Sequence, residues 1–197
     1  MLAALAAVAF GLEPHAARSA TAPTRYAMKA TPIYADASGS RVVGSLTPGT
    51  PVTSAGTATG SRLQSFELDG WSQDGAETTV VAAAGRRIVY ATLSSTQGVA
   101  RKVLAQTKDD YDNVWDQVTL GGFVDSAALT ADQATVWTRA QHLFSQRCSN
   151  CHALHATTEF TANQWPTILK TMGKNAALTP AETALITQYL QTHAKPE

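Results

Sequence analysis

Both cysteines of the chain lie in one run, Cys148-Ser149-Asn150-Cys151-His152, and no other feature constrains the fold as strongly. Two thiols three residues apart on a turn can form thioethers to the two vinyl groups of a haem, while the next residue swings its imidazole under the iron. The run is read as the attachment site of one covalently bound haem c, with Cys148 and Cys151 as anchors and His152 as the proximal iron ligand. A zinc half-site would need a second pair of soft ligands, and a thioredoxin-like dithiol would need a preceding strand in a βαβ context. Neither is present. A Cys148–Cys151 disulfide, possible in an exported protein, leaves the adjacent histidine unexplained.

A six-coordinate site needs a second axial ligand, and the candidates are Met28, Met172, His15, His142, His155 and His193. Met172 is the best placed. It follows His152 by twenty residues on the stripe Trp165, Ile168, Leu169, Met172, whose spacing of three, four and seven puts all four side chains on one helix face. The competing reading makes Met172 a flexible core filler. His155 is too close to His152 to reach the opposite face of the ring and is read as a solvent or propionate partner. His142 and His193 would require helix ends to fold over the ring. A thioether is a soft, weak donor that favours Fe(II), so His/Met ligation raises the potential above that of a bis-histidine site and disfavours oxygen chemistry. No nucleophile with its base, no acid–base pair and no phosphate loop is evident, so the expectation is a one-electron carrier and not an enzyme.

The flanking sequence predicts three helices. Thr130-Ala131-Asp132-Gln133 has the capping-box pattern and precedes Val136, Trp137, Ala140, Leu143 and Phe144 on one side of a helix. Pro166 is tolerable only in a first turn, which puts the cap of the methionine-bearing helix near Asn163. Thr179-Pro180-Ala181-Glu182 combines a capping box with proline at the first helical position, and Leu185, Ile186, Tyr189 and Leu190 follow as an inward face. Three helices around such a run, with methionine on the middle one, resemble a small class I cytochrome c domain over residues 130–197.

Residues 23–129 differ in character, with β-branched and aromatic runs broken by Gly, Asp, Ser and Pro. Strands are predicted at 30–34, 41–46, 50–54, 63–68, 78–82, 87–93, 100–105 and 114–120. Residues 63–71 and 115–124 echo one another, each an alternating strand, a glycine turn and an aromatic residue. The region resembles bacterial SH3-like barrels, as one elaborated barrel or two small ones, with Trp71, Trp115 and Phe123 as barrel core. The fold class expected is α+β, an SH3-like β-barrel region followed by a small all-α class I cytochrome c domain.

Taken together, Tyr34-Ala35, Gly70-Trp71, Arg86-Arg87-Ile88, Ala91-Thr92-Leu93, the haem run, Thr161-Ala162-Asn163-Gln164-Trp165, Tyr189-Leu190-Gln191 and His193-Ala194 resemble the C-terminal region of the pentahaem c-type cytochromes of trimethylamine N-oxide and dimethyl sulfoxide respiration. The likeness covers about residues 26–195. It implies delivery of electrons to a periplasmic molybdenum-containing reductase. Family members carry four further haems in an N-terminal, membrane-anchored domain that oxidises quinol, whereas this sequence has one CxxCH. The resemblance therefore points to a separate multihaem membrane cytochrome as electron donor. Two other roles fit the same features: the haem subunit of a molybdenum sulfite dehydrogenase-like enzyme, and a haem-bearing sensory or binding module.

Attachment of c-type haem in bacteria takes place outside the cytoplasm, and a periplasmic location is expected. Residues 1–12 form a short apolar run and 16–22 are rich in small residues, so 1–22 reads as a signal peptide or truncated export segment lacking a basic n-region. Twelve apolar residues are too few to span a bilayer, although a longer N-terminus would permit an anchor. Residues 23–129 hold nine basic and ten acidic side chains, and residues from 130 on hold five and four. That balance excludes a nucleic-acid footprint and a strongly one-sided docking surface.

Overall fold

Side chains alternate along Leu63–Gln73, with Gln64, Phe66, Leu68, Gly70 and Ser72 all buried, and this period of two makes the segment the spine of a sheet. The computed structural model describes residues 22–57 and 62–196. In chain order these form β1 Thr24–Ala27, β2 Thr31–Tyr34, β3 Val42–Leu46, β4 Pro51–Thr57, β5 Leu63–Gln73, β6 Thr79–Ala83, β7 Arg86–Leu93, β8 Ala100–Lys108, β9 Val114–Asp125 and β10 Leu129–Thr130. A 3-10 turn, Ser126–Ala128, precedes β10, and three helices follow: α1 Gln133–Cys148, α2 Trp165–Asn175 and α3 Pro180–Thr192. The predicted export segment lies outside the described residues up to position 21.

All strand pairs are antiparallel, and the pairing of β5 with both β6 and β9 closes the ring β5-β6-β7-β3-β2-β9. Strands β4, β1 and β10 branch from β5, and β8 extends from β9 as an edge. The fold is therefore α+β, a nearly closed antiparallel barrel followed by three helices. The barrel core includes Ile33, Leu46, Phe66, Leu68, Val118 and Leu120. Strands β1 and β10 escape a reading by periodicity because four and two residues carry no measurable period. They exist because they pair with each other at Tyr26↔Thr130 and Ala27↔Leu129.

The two echoing segments are partners, running in register from Leu63↔Asp125 to Gln73↔Trp115. Their glycines are not turns. Gly70 pairs with Val118, and Gly121 and Gly122 pair with Glu67 and Phe66. A Cβ on Gly70 would stand 2.6 Å from Val80 Cγ1, and one on Gly122 2.9 Å from Ile33 Cγ2. Glycine is required there for close approach inside a strand, which a propensity argument mistakes for a turn. Of the three aromatics assigned to the barrel core only Trp115 is buried, at 2% exposure; Trp71 and Phe123 are half-buried.

The second core is built by the helices, with Val136, Ala140 and Phe144 of α1 facing Trp165 and Leu169 of α2 and Leu185, Ile186 and Leu190 of α3. Helix α1 is capped by Asp132, whose carboxylate accepts from Ala134 N, and not by a Thr130 box; Thr130 Oγ1 accepts from Asp132 N instead. The Thr179/Glu182 capping box of α3 forms as expected, with Pro180 in the first turn. Helix α2 begins after Gln164 with no side-chain cap, so Asn163 does not cap it.

The helices sit directly on the barrel. The indole of Trp137 covers Gly49, and Gln188 Nε2 and Gln191 Nε2 donate to the carbonyls of Val89 and Arg87 at 2.7 and 3.1 Å. Strand β3 pairs with β7 only from Ala91 to Leu93. The two buried glutamines thus satisfy carbonyls on the part of β7 that β3 does not reach.

Candidate haem-attachment site

Helix α1 ends at Cys148 because Ser149 takes the C-cap, with its N–H and Oγ both donating to the Ser145 carbonyl at 3.3 and 2.7 Å. The chain then turns sharply and presents Cys151 and His152 at the surface, while Cys148 stays half-buried against the helical core. The two thiols are free. Burial, reinforced by the nearby Cys151, pushes the Cys148 thiol above its ordinary pKa, so it is held as a neutral thiol.

The imidazole of His152 is oriented by its neighbour. Its Nδ1 lies 2.7 Å from the Ala153 carbonyl oxygen, which can only accept, so Nδ1 carries the hydrogen and Nε2 keeps its lone pair. That is the tautomer a ligating histidine needs, with a carbonyl behind it fixing the ring.

Helix α2 supplies the other half of the site. Trp165 and Leu169 are buried, at 0 and 2% exposure, Ile168 and Met172 are half-buried, and the stripe read from the sequence is the face that packs inward. Met172 opens onto a cavity of about 80 Å³ that it shares with Arg147, Cys148, Cys151, His152, Asn175 and Ala176. All four residues singled out in the sequence therefore line one cavity. The donor set also fits a c-type haem: two unpaired thiols on one turn, one imidazole with a free Nε2, and one thioether on the facing helix.

Of the other candidate ligands, Met28, His142 and His193 lie away from this cavity. Met28 lines a different cavity with Leu143, Glu182 and Leu185. His142 is exposed on α1 beside Asp132 and Arg139. His193 packs against Tyr189 and Trp137, with ring centroids 4.6 and 5.7 Å away, and its Nδ1 donates to the Tyr189 carbonyl. His155 contacts the edge of His152 at 4.9 Å and is 2.8 Å from the Glu159 carboxylate. His15 lies outside the described residues. Among the described residues no three His, Cys, Asp or Glu side chains are grouped as a metal-binding cluster.

Two features of the site escape a sequence reading. Arg147 lines the cavity and pairs with Glu182 at 2.8 Å, tying the end of α1 to the start of α3. Hydrogen bonds from Thr179 and Arg147 hold the Glu182 carboxyl down at about 2. Asn163 is the second, because its partners lie on β7 and the preceding turn, 76 and 78 residues away. Among the described residues no helix is long and apolar enough to cross a membrane.

The family model described as the TorC third cytochrome c domain matches residues 19–129, and the one described as dihaem cytochrome c matches residues 144–197. The second stretch holds a single CxxCH in this chain. The cytochrome c-type protein TorY of Escherichia coli O157:H7 is 37% identical over 129 residues, which is 65% of this chain and 35% of that protein. TorY of Haemophilus influenzae is 31% identical over the same shares. The cytochrome c-type protein TorC of Escherichia coli K12 is 26% identical over 184 residues, 92% of this chain and 47% of that protein. The chain spans about a third to a half of the length of these relatives. No solved structure matches it.

Proposed function

The chain belongs to the family of the TorC third cytochrome c domain, and from that membership we propose that it is a monohaem c-type cytochrome passing single electrons to a terminal reductase. The reductase is of the molybdenum-containing, trimethylamine N-oxide or dimethyl sulfoxide type, in the periplasm where c-type haem is attached. The electron donor is a multihaem, membrane-anchored cytochrome. The working division of the chain is a barrel domain over 23–129 and a haem domain over 130–197.

One observation carries the reading: Met172, twenty residues beyond the attachment run, lines the same cavity as Cys148, Cys151 and His152. Cys148 and Cys151 are the covalent anchors, His152 the proximal ligand and Met172 the distal one. When bound, haem supplies the one-electron Fe(III)/Fe(II) couple. The protein orients the imidazole through the Ala153 carbonyl. It presents a soft sulfur that favours the reduced ion, and so a high potential. Trp165 and Leu169, buried behind Met172, keep water from that side of α2.

The test is optical and near-infrared magnetic circular dichroism of the matured protein beside Met172→Ala. The oxidised wild type should show the far-red methionine-to-iron charge-transfer band and the variant should lose it, with haem still covalently bound in both. A band missing from the wild type and spectra unchanged by the substitution refute Met172 as ligand.

A further inference from the structure

Three stretches far apart in the sequence meet at one point: the β6–β7 turn, residues 162–163 before α2, and Gln188 and Gln191 on α3. Asn163 Nδ2 donates to the Gly85 carbonyl at 2.8 Å, and the Arg87 N–H donates to Asn163 Oδ1 at 2.8 Å. One side-chain amide thus pairs in both directions with hairpin backbone, as an adjacent strand would. Gln191, 2% exposed, donates to the Arg87 and Ala162 carbonyls at 3.1 and 2.8 Å, binding the same two stretches from a third side. The turn is shaped for this, since Ala83 pairs with Arg86 and Gly85 takes a φ of +72° that only glycine adopts freely.

Helix α2 starts two residues beyond Asn163. It has eleven residues, no side-chain cap and proline in its first turn, and a helix of that length is marginal without tertiary anchors. Its first residue, Trp165, is fully buried, and Trp165 Nε1 donates to the Thr157 carbonyl at 2.9 Å. From that indole a series of edge contacts runs through Phe160 and His155 to His152, with centroid separations of 4.9, 5.7 and 4.9 Å. The clamp on Asn163 therefore fixes the stretch from which one arm leads along α2 to Met172 and another through the rings to His152. An ordinary interface contact would stabilise the fold without any bearing on the iron.

We propose that Asn163 is a positioning residue for the iron site: by locking the start of α2 to the β6–β7 turn, it holds Met172 where its weak bond to iron can form. The claim rests on the His152/Met172 reading above. A thioether is the weakest of the four attachments, so it is the one that a small displacement of α2 breaks first.

The experiment uses the full-length holoprotein, Asn163→Ala, and Gln188→Ala as control, because Gln188 bonds the same barrel strand at Val89 from α3, which carries no ligand. The readouts are the far-red band of the ferric protein, its affinity for added imidazole, and amide hydrogen exchange in α2. Loss of two hydrogen bonds should raise imidazole affinity and α2 exchange by about tenfold and weaken the band, with haem still attached. Gln188→Ala should lower the unfolding midpoint and leave all three readouts alone. A normal band and affinity in Asn163→Ala, or identical changes in Gln188→Ala, overturn the positioning role. A wild type without the band refutes the Met172 ligand itself, and the claim with it. A wild type with the band that ignores Asn163→Ala refutes the clamp alone.

Discussion

Replacing Gly49 by alanine tests how tightly the helices are seated on the barrel. Gly49 has a φ of +79°, and a Cβ there would lie 2.0, 2.6 and 2.9 Å from Cη2, Cζ2 and Cζ3 of Trp137. The left-handed backbone alone costs a non-glycine residue about 1–2 kcal/mol. The steric part adds about 1–3 kcal/mol, typical of overpacking. The indole cannot swing away cheaply, because Tyr189 and His193 pack against it at 6.3 and 5.7 Å. Gly49→Ala should therefore lose about 2–5 kcal/mol in urea unfolding followed by circular dichroism. In a Trp137→Leu background the clash disappears and only the backbone cost of about 1–2 kcal/mol remains. The double-mutant cycle then shows a coupling of about 1–3 kcal/mol. A Gly49→Ala cost that is equal in both backgrounds would refute the packing argument.

Two further outcomes follow from local electrostatics. The Glu182 carboxyl is held at about 2, below its ordinary 4.5, by the Thr179 N–H first and by Arg147 next. A depressed folded-state pKa contributes stability above the unfolded value and loses it as the group protonates in the folded state. Urea titrations of wild type and Glu182→Gln should thus differ by a constant amount at neutral pH, and that difference should shrink as pH falls from about 4.5 toward about 2; a pH-independent difference contradicts the assignment. In the haem-free chain, half-buried Cys148 with its raised pKa should alkylate more slowly than exposed Cys151 at mildly alkaline pH, and equal rates by peptide mass mapping would count against that burial.

How much was legible follows from how local each signal is. The attachment run and the α2 stripe are short-range patterns, and both appear where the spacing puts them. The Thr179 box was readable for the same reason, since its two bonds join residues three apart. The Thr130 box failed because Asp132 offers a competing acceptor two residues nearer the helix. Gly70 and Gly122 form no turn, because what requires glycine there, close contact with Val80 and Ile33, comes from other strands. Asn163 does not cap α2 because its side-chain amide bonds backbone groups 76 and 78 residues away, which no local pattern reveals.

Local and long-range residues divide the work between chemistry and placement. Cys148, Cys151, His152 and Met172 span twenty-five residues, and an isolated 130–197 segment contains all of them. That segment, however, would leave Asn163, Gln188 and Gln191 without the β7 and turn groups they bond, and two of the three are buried glutamines. Each such hydrogen bond is worth about 0.5–1.5 kcal/mol net, against a domain stability of about 5–15 kcal/mol. Of the stretches that carry the family likeness, Arg86-Arg87-Ile88, Thr161-Ala162-Asn163-Gln164-Trp165 and Tyr189-Leu190-Gln191 lie at this junction. Arg87 on β7, Asn163 before α2 and Gln191 on α3 meet there through hydrogen bonds between the barrel and the helical region. The barrel thus supplies the backbone partners on which the start of α2 and the inner face of α3 are seated.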